Sequence, residues 1–428
     1  MMRHVLIAAL LCLTGCLFGG DDLPVNAKPN NDNVTPNNAN NTISNNVEPN
    51  IAPNLEPNVV PNGEPCPIDT TPACELTITC SPDATPDCPG CGQCEDGVCA
   101  AGPNGAIGLC IDMAPIPAAE IGAAGESGGM GESVAVADRI YIGQPNAGAG
   151  RVIVASLDGD FEREIRAPDA SSRFGFDIDA IDGAVAIGCP GCGADGQVFF
   201  ESANQNLEAV YLTADGDPRE RVGDDVAVMS TRDQTWVIAG APDTVPQASA
   251  MLFRRQNGWI LDERASVDTV LFGLSVAADD NSLVIGSATP TVQARTAIAA
   301  SWAIADFDTS TARTDIVALS EQNQLLVAGG DRELELFERR NMNWQSLGVQ
   351  AAGSGVWQAA AIGEQVVYVG TTTGEVRVFR VIAGDAVQLG TLDIPGLTDL
   401  DAHDGIIVAG AANATGADAV YAWRISIR

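Results

Sequence analysis

Val366-Val367-Tyr368-Val369-Gly370 is a short β-branched run that stops at glycine, and its recurrence decides the fold. The same run appears as Ile140-Tyr141-Ile142-Gly143, Val185-Ala186-Ile187-Gly188, Trp236-Val237-Ile238-Ala239-Gly240 and Leu283-Val284-Ile285-Gly286. It returns as Leu325-Leu326-Val327-Ala328-Gly329 and Ile406-Ile407-Val408-Ala409-Gly410. The terminal glycines stand 45, 52, 46, 43, 41 and 40 residues apart, which makes seven units. Self-similarity at such a period is the mark of a repeat architecture.

Each unit has further order. Upstream lies a second short apolar strand: Glu132–Val136, Phe174–Ile178, Asp225–Val228 or Phe272–Val276. Downstream lies a third, as in Gly150–Val154, Gln197–Phe200, Ala250–Phe253, Glu335–Phe337, Glu375–Phe379 and Ala419–Trp423. A fourth follows in several units, as in Trp259–Leu261 and Trp344–Leu347. Short strands separated by Gly, Asp and Asn turns indicate antiparallel β structure, and no stretch here keeps a helical period. Four strands in each of seven units predict an all-β, seven-bladed β-propeller of four-stranded antiparallel blades over residues 111–428. The chain ends after a third-type strand, so residues 111–120 are expected to supply the outer strand of the seventh blade and leave no open edge.

The units resemble FG-GAP repeats, the blade units of integrin α-chain propellers and of many bacterial exported proteins. The resemblance rests on Phe174-Gly175 with Gly188-Cys189-Pro190, on Ala239-Gly240-Ala241-Pro242, and on Phe272-Gly273 with Ile285-Gly286. Met130-Gly131 with Ile142-Gly143-Gln144-Pro145 is a variant, and units five to seven are degenerate. The family implies calcium loops of alternating Asp and Asn, which need several oxygens around one hard cation. The hairpins at 179–183 and 277–281 are too short to supply that set, and Asp158-Gly159-Asp160 and Asp215-Gly216-Asp217 do not extend into one. No cofactor is expected; calcium would be the one candidate, with its loops incomplete.

The amino-terminal end reads differently. Basic Met1–His4 precedes apolar Val5–Leu13, the pattern of a signal peptide over residues 1–15. Leu13-Thr14-Gly15-Cys16 resembles the bacterial lipobox, which implies a lipid on Cys16. Leu17 rather than Asp after that cysteine implies an outer-membrane address, facing the periplasm or the cell exterior. Residues 16–65 carry Pro-Asn six times and read as an extended, disordered tether. Residues 66–110 hold Cys66, Cys74, Cys80, Cys88, Cys91, Cys94, Cys99 and Cys110. So dense a set in an exported segment without its own core reads as a disulfide framework. Metal binding through Cys88-Pro89-Gly90-Cys91-Gly92-Gln93-Cys94 is the rival. Cys189-Pro190-Gly191-Cys192 repeats the tetrapeptide in a glycine-rich loop, where a local disulfide is expected rather than a redox centre.

The chain carries 22 basic and 56 acidic residues, for a formal charge of −34, and Lys28 is its one lysine. Such a charge disfavours nucleic acid as a partner. Chemistry is hard to find. Beyond the signal there is one histidine, His403, between Asp401 and Asp404 in a turn-like stretch, and no Gly-x-Ser-x-Gly elbow. Three functions are compatible with this reading. The first is a membrane-anchored binding module for a protein or glycan, the second a structural envelope component. The third is a polysaccharide lyase or hydrolase with carboxylates at the propeller channel.

Overall fold

The computed structural model describes Cys94–Glu95, Val98–Cys99, Leu109–Pro117 and residues 128–427, apart from loop segments at 169–172, 194–195, 212–220, 232–233, 244–247, 267–270, 299–300, 321, 323, 341–342, 364–365, 383 and 413–417. The signal, Cys16, the tether and the side chains of the cysteine-rich segment lie outside the described residues. Within that segment the backbone of Cys94–Glu95 pairs antiparallel with Val98–Cys99.

Seven four-stranded antiparallel sheets follow one another around a ring. Their innermost strands are Val134–Val136, Ile178–Ile181, Val226–Thr231, Val276–Asp279, Ile316–Ser320, Trp357–Gly363 and Asp399–His403, in blades one to seven. Each blade steps outward strand by strand in chain order. The seventh is the exception: its outer strand is Leu109–Pro117, paired antiparallel with Ala419–Ile427 from Leu109↔Ile427 to Pro117↔Ala419. The ring is closed by the start of the domain, as the repeat phase requires.

The repeated β-branched runs are the second strands, and they are buried on both faces. Ile140–Gln144, Ala184–Cys189, Leu325–Gly330, Val366–Thr371 and Ile406–Ala411 are buried at every position. That explains why they read as continuous apolar runs rather than as alternation. Seven hydrophobic clusters fill the ring, one at each seam between neighbouring blades. The seam of blades one and two shows the pattern: Val152, Val154 and Tyr141 meet Phe174, Ile187 and Phe199.

Two expectations differ in detail. The innermost strands of blades two and four begin later than the sequence suggests. Gly175 and Gly273 adopt φ of +80°, so Phe-Gly forms the turn that enters the blade, and Phe174 and Phe272 drop fully buried into the seams. Blade four also has a third strand, Thr291–Ile298, whose polar composition hid it. The outer edges are protected by β-bulges, which recur opposite the outer strand at Phe199, Phe253, Phe337 and Phe379.

Candidate functional site

The innermost strands line a central channel of about 740 Å³. Its chemistry comes from one repeated position, the residue opposite the repeat glycine. In blades one to four that glycine's amide donates to the carbonyl of Ser133, Asp177, Asp225 and Ser275, each at 2.8 Å, and in blade seven Asp399 stands opposite Gly410.

The side chain at this position reaches the next blade. Asp177 accepts the Val226 amide at 2.6 Å, Asp225 the Val276 amide at 3.0 Å, and Asp399 the Val134 amide at 2.8 Å. Two residues on, Asp179 accepts from Val228 at 2.7 Å and Asp401 from Val136 at 2.6 Å. Where serine replaces aspartate the polarity reverses: the Ser133 and Ser275 hydroxyls donate to the carbonyls of Gly175 and Thr314, at 3.2 and 2.9 Å. In blade six, where Ala359 stands opposite Gly370, the bulged Gln358 just before it donates to the Thr398 carbonyl at 3.3 Å. Asp177-Ile178-Asp179 and Asp399-Leu400-Asp401 are thus the same two-rung staple, placed on either side of blade one.

The electrostatics follow from depth. The carboxyls line the channel and are only partly exposed, packed between the blades. Burial is the main cause that pushes Asp399 up to about 8, Asp225 to about 7 and Asp401 to about 6. Burial and then Asp225 hold Asp177 well above the usual carboxylate range, and burial and then Asp401 do so for Asp179. Among the described residues no Lys or Arg lines the channel, and His403 is its one basic side chain. His403 is half-exposed, its Nε2 3.7 Å from Asp182 and 3.6 Å from Asp404.

The other sequence candidates sort simply. Cys189 and Cys192 form a disulfide with Cα atoms 5.3 Å apart, and both are buried. Asp158-Gly159-Asp160 is a turn in which the amides of Asp158 and Asp160 donate to the Ser156 hydroxyl, at 3.3 and 3.1 Å. Asp215 and Asp217 lie outside the described residues. Among the described residues, no group of three or more His, Cys, Asp or Glu is placed to hold a metal ion. Sequence reasoning missed the staples because it treated Asp179 and Asp401 as turn residues. The available signal was an aspartate opposite the repeat glycine, followed by a second two residues later.

No family model matches the chain, and no curated protein does. Solved structures of similar fold include the RRP9 WD40 repeats, at 14% identity and TM-score 0.55, covering 74% of this chain and 98% of that one. U3-55K is another, at 14% identity and TM-score 0.54, covering 73% and 98%. At that identity the likeness shows the fold: a seven-bladed propeller of the kind built by WD40 repeats.

This corrects the FG-GAP, integrin α-like reading. The residues that suggested it are used for ring packing. A Cβ on Gly143, Gly188 or Gly240 would lie 2.2–2.3 Å from the carbonyl oxygen of Gly175, Gly223 or Gly273 in the next blade, so backbone meets backbone there. The lipid anchor on Cys16, the membrane partner and the outer-membrane address were read separately, from residues 1–17, and are withdrawn as well, since the matching propellers are WD40 repeat structures. No helix among the described residues is long and apolar enough to cross a membrane.

Proposed function

We propose that the propeller is a non-catalytic interaction module, taking a protein or glycan ligand on its loop faces, with basic protein surface as the favoured chemistry. The observation that carries this reading is the use made of the deepest carboxyls. All five accept backbone amides of a neighbouring blade, so they build the scaffold. An acid–base pair for glycoside hydrolysis must instead stand free on either side of a sugar. A rigid ring with variable loops is suited to recognition, and a formal charge of −34 draws basic partners at long range.

The test is a binding panel on the full-length chain: basic proteins, acidic proteins and neutral and sulfated glycans. The proposal expects saturable binding to basic members that weakens as salt rises from about 50 to about 300 mM. Release of new chain ends from a polysaccharide, or no saturable binding at about 100 μM protein, would overturn it.

A further inference from the structure

Six of the seven blades guard their outer edge. In blades one, two, three, five and six the pairing of the third and fourth strands slips by one residue. Such bulges bend an edge away from any further strand. Blade seven pairs without a slip, but Pro115 and Pro117 lie on its outer strand and bring no N–H to the edge. Blade four has neither device. Thr291–Ile298 and Ser301–Asp308 pair at eight consecutive positions, from Thr291↔Asp308 to Ile298↔Ser301, with no shift of register. Ser301–Asp308 is the last strand of its sheet, so every second residue turns its backbone N–H and C=O outward. The strand contains no Pro, Gly, Lys or Arg. It is also held still. Trp302 meets Trp236 of blade three edge-on at 5.1 Å, and Phe307 meets Phe337 of blade five at 5.3 Å. Between these anchors Ile304 is 52% exposed, the most exposed large apolar side chain among the described residues.

We propose that the outer strand of blade four is a docking edge for an extended segment of a partner protein, one that adds a fifth, antiparallel strand and carries two basic side chains and then an apolar one at alternate positions. Main-chain hydrogen bonds supply the attachment, and the alternate side chains select the segment. Because the receiving strand is already fixed, little ordering cost falls on the propeller. Trp302, Ile304, Asp306 and Asp308 share the face turned towards blade three. Arg295, opposite Ile304 on that face, is buried and paired with Glu263 of blade three. Among the described residues Asp306 and Asp308 accept from neutral donors, the Gln293 amide at 2.7 Å and the Thr291 hydroxyl at 3.0 Å. The edge therefore offers apolar surface at Ile304 and uncompensated negative charge at its C-terminal end. An antiparallel segment meets Asp308 first, then Asp306, then Ile304, which fixes its order as basic, basic, apolar. A second copy of this chain is a poor occupant, because a formal charge of −34 on each makes two copies repel. The edge lies on the rim of the ring, apart from the loop faces, and the proposal does not rest on them.

The experiment uses the full-length chain and a labelled synthetic peptide, Arg-Thr-Arg-Thr-Val-Thr-Val, whose odd positions fall opposite Asp308, Asp306, Ile304 and Trp302. Fluorescence anisotropy should show saturable binding with a Kd on the order of 100 μM, lost when both arginines of the peptide are replaced by glutamate. Hydrogen exchange then reads the place: amides within residues 301–308 should slow in the complex, and those of the other outer strands should not. Ile304→Lys puts a cation at an exposed position facing the basic peptide and should weaken binding roughly tenfold. Val349→Lys makes the same change at an exposed position on the bulged outer strand of blade five and should leave binding as it is. Asp306→Asn with Asp308→Asn keeps oxygens for Gln293 and Thr291, removes the charge, and should weaken binding about fivefold. No saturable binding at about 1 mM peptide, or equal losses in Ile304→Lys and Val349→Lys, would overturn the docking edge and leave the loop-face reading to its own panel. Protection confined to the loops would overturn the edge and favour that reading. Concentration-dependent dimerisation of the wild-type chain that Ile304→Lys abolishes would give the edge to a second copy and overturn the proposal as well.

Discussion

Gly188→Ala isolates the backbone contact on which the ring depends. Gly188 has no left-handed φ, so alanine is conformationally acceptable there and the cost is steric. The new Cβ would lie 2.3 Å from the carbonyl oxygen of Gly223 in blade three, where ordinary contact begins at 3.4 Å. The seam must open by about 1 Å, because close-packed backbone cannot deform to absorb the clash. That opening carries the Asp177–Val226 and Asp179–Val228 bonds, now 2.6 and 2.7 Å, beyond hydrogen-bonding distance. Overpacking costs about 1–3 kcal/mol, and the two stretched bonds add about 1 kcal/mol each. A total of about 4 kcal/mol corresponds to a fall in thermal midpoint of roughly 8 °C for a domain of this size. Gly148→Ala is the control: φ is +63° with nothing within 4 Å, so only backbone strain of about 1 kcal/mol is expected. Circular dichroism melts of both variants decide the matter. A Gly188→Ala midpoint no lower than that of Gly148→Ala would refute the seam argument.

Other consequences are as direct. Phe174 is fully buried and meets Phe199 with ring centroids 5.3 Å apart, so Phe174→Ala should cost about 3–5 kcal/mol in denaturant unfolding; a loss below about 1 kcal/mol would place the ring elsewhere. Deleting residues 109–117 removes the strand that pairs with Ala419–Ile427, and the deletion should expose that edge, lower the melting point and promote association in light scattering. Non-reducing peptide mapping should recover Cys189 and Cys192 as one linked peptide, with two alkylatable thiols as the contrary result.

Much of this was legible from residues alone. The seven glycine-ended runs gave the blade count because a buried second strand must be apolar on both faces and must end where backbone touches backbone. The closing strand was legible from the phase of the repeats. What misled was Phe-Gly. Its phenylalanine fills a seam and its glycine turns the chain into the blade, so packing demands the pair wherever neighbouring backbones meet closely, and the motif does not by itself specify a family. The staples were hidden for a related reason: Asp179 and Asp401 neighbour hairpin turns, and aspartate near a turn has an explanation already. Only the register, which sets Asp177 opposite Gly188 and Asp399 opposite Gly410, separates a staple from a turn residue. Thr291–Ile298 lacked a continuous apolar run because Gln293 and Arg295, between and beside the buried Val292 and Ala294, are buried polar groups paired with Asp306 and Glu263.

The central claim, that the channel carboxyls are structural staples between blades, is tested most directly by native-state hydrogen exchange at the amides of Val136 and Val228. These amides donate to Asp401 and Asp179 across the seams, and the account predicts that they exchange only with global unfolding, and that Asp401→Ala and Asp179→Ala each release the amide they hold. If Val136 and Val228 exchange as fast as the exposed hairpin amide of Asp182 in the wild-type chain, the carboxyls do not hold the ring.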